Sequence, residues 1–127
     1  MADLKEKGVI LLATGNLPLN GVTAVTLYTV PVGKTCILDK LQVVASADMG
    51  ATVLTVGRVG ALTDFLPSQT VTACNGAGSV ARLAPVPNAT TVEHFEYAAA
   101  VVIQANVTTA NGSATNTYYL YGTLDDA

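Results

Sequence analysis

Apolar and polar residues alternate in short runs along this chain, and clusters of glycine, proline and asparagine interrupt the runs at close intervals. Thr23 to Val30 sets the pattern: Val25 and Leu27 fall on one face and Thr26 and Tyr28 on the other, as side chains do along a pleated strand. Thr35 to Ala45 predicts a longer strand, with Ile37, Leu41 and Val43 sharing the core face and Lys40 and Gln42 opposite. Ala51 to Val59 alternates again, and Gly57 inside it marks a bulge or a close approach of another segment.

Further strands are expected over Gly8 to Thr14, Thr70 to Ala73, Ser79 to Leu83, Thr90 to Tyr97, Ala98 to Thr109 and Thr115 to Leu124. Ala61 to Gln69, which contains Asp64, Phe65 and Pro67, reads as irregular with room for a short helical turn. Gly15 to Gly21, Ser46 to Gly50, Cys74 to Gly78 and Asn111 to Ala114 are the turns and loops, and Pro85 and Pro87 interrupt any sheet. Asn75-Gly76 is a hairpin dipeptide, so the runs on either side of it are expected to pair.

No window sustains helical periodicity over three turns, and no repeat or linker divides the chain. The reading is all-β: a single antiparallel β-sandwich of about eight strands over residues 1–127, with 1–7 as a candidate N-terminal arm. Within that class a jelly roll and an immunoglobulin-like sandwich both remain open; the absence of tryptophan and of a clear cysteine pair lends nothing to an antibody-type domain, and the jelly roll is the favoured reading.

Composition narrows the function. Half the residues are hydrophobic and 12% are charged, about half the usual charged share of a soluble domain. Apolar surface left over by so few ions drives association, which predicts an oligomer or a larger assembly. The net charge is −3 and the six basic residues, Lys5, Lys7, Lys34, Lys40, Arg58 and Arg82, are scattered. No nucleic-acid partner is expected of such a distribution. The longest apolar stretches, Gly8 to Ala13 and Tyr97 to Ile103, are far shorter than the roughly 20 residues of a membrane helix, so no membrane partner is expected either. The N-terminal segment lacks the layout of a secretory signal, so Cys36 and Cys74 are read as separate thiols and the Asn-X-Ser/Thr patterns at Asn88, Asn106 and Asn111 as incidental.

One segment invites a chemical reading. Gly33-Lys34-Thr35 matches the end of a phosphate-binding loop, but such a loop needs a glycine five positions before its Gly-Lys pair and a helix after it. Here Tyr28 holds that position and a strand follows. The alternative is a hairpin turn, in which Pro31 ends one strand, Gly33 takes a positive φ and Lys34 is solvated. His94 lies between Glu93 and Glu96, yet zinc sites need more nitrogen or sulfur ligands than the chain places nearby. No serine or cysteine carries a nucleophile elbow. Acid pairs drawn from Asp39, Asp48, Asp64, Glu93 and Glu96 lack the aromatic platform of a glycan cleft, and Asp125 and Asp126 read as a solvated tail. No enzyme activity, cofactor or metal is expected.

The segment Leu27-Tyr28-Thr29-Val30-Pro31-Val32-Gly33-Lys34-Thr35, with Ile37 and the strand to Val44, resembles an element of small β-rich virion proteins of tailed bacteriophages. Tyr118 to Leu124 looks like their final strand. Together the two cover about a quarter of the chain. Among such proteins the resemblance points most to capsid decoration, or cement, proteins. It implies a homotrimer that binds the major capsid protein on the outer surface of the head, stabilises the shell, and is made in the cytoplasm of the bacterial host. By the same analogy Leu4 before the first strand, and Leu17 and Leu19 in the first loop, are candidate partner contacts. A tail, fibre or baseplate component and a carbohydrate-binding module are the alternatives; glycan binding predicts clustered exposed aromatics, and cementing predicts apolar contacts between chains.

Overall fold

The computed structural model describes residues 8–48, 50–71, 75–84, 96–111 and 115–126. Among these there is no helix, and nine strands form two antiparallel sheets packed face to face. The strands are β1 (Ile10–Asn16), β2 (Ala24–Thr29), β3 (Lys34–Val44), β4 (Val53–Arg58), β5 (Ala61–Thr70), β6 (Val80–Leu83), β7 (Glu96–Tyr97), β8 (Val102–Thr109) and β9 (Thr117–Asp126). One sheet runs β1-β9-β3-β6, with β7 also pairing with β3; the other runs β2-β8-β4-β5. Successive strands change sheet at nearly every connection, and the two-residue β7 aside, this order is the jelly roll.

The core lies between the sheets and follows the strand period. Ile103, Ala105 and Val107 of β8 point inward, as do Tyr118 and Leu120 of β9. In β3 the phase breaks: Cys36 and Leu38 are buried before the middle of the strand, Leu41 and Val43 after it. Leu38 pairs with Gly122 and Lys40 with Tyr121, so Asp39 is an extra residue, a β-bulge that turns the second half of the strand over. That bulge is why Ile37, expected on the core face with Leu41 and Val43, is only half-buried. β1 carries its own bulge at Leu12, opposite Leu120 and Tyr121 of β9, one residue along from the bulge in β3. There Gly122 fits between the neighbouring strands; a Cβ would sit 2.5 Å from the Ile37 carbonyl oxygen.

Ala61 to Gln69, expected to be irregular, belongs to a ten-residue strand that runs on to Thr70. Its departures from regularity are bulges: Arg58 pairs with Ala61 and Val56 with Leu66, and another register shift spans Pro67. β5 is the edge strand of its sheet, where a proline without an amide donor is tolerated. One expected pairing and one strand boundary also differ. The turn at Asn75-Gly76 leads into β6, which pairs with β3 in the opposite sheet from β5. Ala98 to Val101 is a turn with Ala100 at φ 68°, so the expected strand begins only at Val102.

Candidate interaction surface

The Gly33-Lys34-Thr35 segment is a turn and not a phosphate cradle. The Lys34 amide donates to the Pro31 carbonyl at 3.2 Å, and Gly33 has φ 81°. These are the features of a tight turn with glycine at its third position. The turn is not a hairpin, however, because β2 and β3 belong to different sheets. Pro31 and Gly33 build a corner that carries the chain from one layer to the other. Lys34 is not simply solvated either: its Nζ lies 2.5 Å from Asp126 Oδ1, opposite it in the β3–β9 register. Asp126 ends β9 and Asp125 is buried, so neither belongs to a free tail.

The first loop is built the opposite way to its expected role. Leu17 and Leu19 are both 0% exposed and belong to the core cluster. Burial removes them from any partner surface and corrects their assignment as contacts. Asn116, itself buried, holds the loop in place. Its side-chain amide donates to the Leu17 carbonyl at 3.0 Å, its carbonyl oxygen accepts from the Ser46 amide at 3.2 Å, and its own backbone carbonyl accepts from the Leu17 amide at 2.7 Å. The Asn111 amide closes the loop onto the Leu19 carbonyl at 3.0 Å. Leu4, the arm 1–7, Cys74, Pro85, Pro87, Glu93 and His94 lie outside the described residues.

Polar groups in the interior serve the packing. Asp64 accepts from the Tyr97 hydroxyl at 2.8 Å and from the Arg58 amide at 3.2 Å, and its second oxygen is 3.0 Å from Arg58 Nε. This cluster ties β7 of one sheet to β4 and β5 of the other. Burial pushes the Tyr97 hydroxyl well above its ordinary 10.0, with the Asp64 hydrogen bond adding to it, and burial alone raises the Cys36 thiol to about 12. A thiol so disfavoured as thiolate is no nucleophile. Among the described residues no three of His, Cys, Asp and Glu gather into a set that could hold a metal.

What remains is surface. From Gly8 to Gly33 the chain carries no charged residue. In the fold this stretch is β1, the first loop and β2, the strands that edge the two sheets on one side of the sandwich. Val9, Ile10 and Leu11 are 54%, 45% and 48% exposed in succession, and Val22 is exposed in the loop. The opposite edges are guarded: Arg82 lies on β6, and Asp64, Pro67 and the bulges lie on β5. The uncharged run was readable from the sequence; its gathering on one side followed only from the strand order. On the outer face of the first sheet, Tyr119 and Tyr121 are half-buried, and Lys40 Nζ sits 5.0 Å from the Tyr121 ring centre. The clustered exposed aromatics expected of a glycan platform are not what this face presents.

No protein-family model matches the chain, and no curated protein matches its sequence. Among solved structures it is similar to a chain of the cyanophage Pam1 capsid asymmetric unit, with a TM-score of 0.54 and 22% identity over 91% of this chain and 83% of that one. At that identity the likeness is one of fold.

Proposed function

We propose that this chain is a bacteriophage capsid decoration protein, which binds the major capsid protein on the outer surface of the assembled head and stabilises the shell through protein–protein contacts. The observation that carries the reading is the fold likeness to a chain of a phage capsid asymmetric unit, which spans 91% of this chain and 83% of that one. Two features of the molecule support it. Asp64, Tyr97 and Asn116, polar groups of the interior, are engaged in tying strands and loop together. Its uncharged side exposes apolar side chains next to a strand edge, a surface suited to burial against a neighbour. Repetition over a shell adds avidity to contacts that are individually weak.

Imaging of intact virions tests the reading. Regular density for this chain on the outside of the head is the expected result, and density confined to the tail overturns it. Heads stripped of the protein are expected to open at lower temperature or milder osmotic shock than complete ones; equal survival defeats the stabilising role.

A further inference from the structure

We propose that Asn75-Gly76 is a site of self-modification, at which the chain converts Asn75 to a mixture of aspartate and isoaspartate without an enzyme, assisted by the Ser79 hydroxyl. The backbone nitrogen of Gly76 attacks the Asn75 side-chain carbonyl carbon. Its proton passes through water to the side-chain nitrogen, which leaves as ammonia, and an imide ring closes. Water then adds to one of the two imide carbonyls and breaks that carbonyl's bond to the Gly76 nitrogen. The carboxylate is freed on the side chain, or on the main chain with the backbone rerouted through the side chain. Water is the co-reactant, and nothing is oxidised or reduced.

The turn before β6 brings the necessary groups together. Asn75 is exposed, so water reaches it, and among the described residues the Gly76 amide donates to no group, so the attacking nitrogen is not engaged. Ser79 Oγ donates to Asn75 Oδ1 at 3.2 Å, the oxygen on which negative charge grows as the nitrogen adds. Ser79 is fixed there by the residue that follows β3: its carbonyl accepts from the Ala45 amide and the Gly78 amide donates to the Ala45 carbonyl, both at 2.8 Å. The Ser79 amide also closes the turn onto the Gly76 carbonyl at 3.1 Å. A donor held in place beside an unengaged nucleophile shortens the search for the reacting geometry. The other Asn-Gly pairs lack this arrangement. Asn20 is exposed before Gly21, but among the described residues no donor reaches its side chain. Asn111 is held by both backbone groups, its amide donating to the Leu19 carbonyl at 3.0 Å and its carbonyl accepting from the Thr52 hydroxyl at 2.6 Å. The structure thus ranks Asn75 before Asn20 and Asn20 before Asn111, where the sequence makes them equal. Each conversion at Asn75 adds a negative charge to a chain of net charge −3, at the turn that leads into β6.

The inference does not rest on the virion reading, because it is tested in solution without capsids. In the folded protein held at mildly alkaline pH, peptide mapping by mass spectrometry is expected to find aspartate and isoaspartate first in place of Asn75. Ser79→Ala is expected to slow conversion of Asn75 about two- to tenfold, the worth of one hydrogen bond, and to leave Asn20 unchanged. Gly76→Ala places a methyl group with nothing within 4 Å of it, so this variant is expected to melt like the parent and to suppress conversion, because a Cβ crowds the attacking nitrogen. Asn75 intact when Asn20 or Asn111 has converted, a rate at Asn75 that Ser79→Ala leaves unchanged or raises, or conversion as fast in Gly76→Ala as in the parent overturns the proposal.

Discussion

At Gly57 a methyl group would strike the Ala61 carbonyl oxygen and lie 2.5 Å from Asp64 Oδ1, because β5 folds over this point of β4 to bring Asp64 to Arg58. Gly57→Ala is therefore expected to cost about 1–3 kcal/mol of stability by overpacking, read by denaturant unfolding. Gly33 is needed for another reason. Nothing lies within 4 Å of a Cβ there, but φ is 81°. Gly33→Val is expected to cost about 1–2 kcal/mol through the backbone alone, and an unchanged melting temperature would refute the turn assignment. Ionisation at Cys36 and Tyr97 weighs against the fold at alkaline pH. Both hold their protons more tightly in the folded protein than in the unfolded chain, whose ordinary values are 9.0 and 10.0. Their contribution is complete below about pH 9 and is lost as pH rises toward 12. Unfolding followed from pH 8 to 12 is expected to show this fall, and Tyr97→Phe to flatten it above pH 10.

Among the elements, strand existence was legible wherever alternation was clean, as in β2 and β8, and partner choice was not. Tight turns next to alternating runs look the same whether the strands pair or part into two layers, so the corner at Pro31 and Gly33 has the sequence of a hairpin. β5 is hard to read from sequence because Asp64 and Pro67 are loop residues in most settings; here both are explained by an edge strand that bulges over its neighbour, while Phe65 between them enters the core. The phase of β3 was lost at Asp39 for the same kind of reason, since one inserted residue exchanges the two faces. Deleting Asp39 is expected to send Cys36 and Leu38 outward or to displace Leu41 and Val43, and so to abolish cooperative unfolding by near-ultraviolet circular dichroism. Leu17 and Leu19 show how the candidate contacts went astray. Apolar residues in a loop rich in glycine, asparagine and proline suggest a surface contact, yet Asn116, about a hundred positions away, holds them in the core. Leu17→Ala or Leu19→Ala is expected to cost about 2–5 kcal/mol of folding stability, which separates a core role from a binding one.

For the whole molecule, the low charge that the composition made evident becomes a property of one side. Contacts made through that side would rest on apolar burial, so raising salt from about 0.1 to 1 M is expected to change their affinity by less than about threefold, whereas an ion-paired interface would weaken markedly. The strand order has a further consequence, for synthesis. β9 separates β1 from β3, so the first sheet has no centre until the chain has been made out to Asp126. At about 5–20 residues per second, β1 waits roughly 5–20 s after leaving the ribosome before its partner exists. Throughout that interval both of its sides are open. Nascent chains on one polysome are thus exposed to strand exchange, and slower translation of the β2 to β8 region lengthens the hazard.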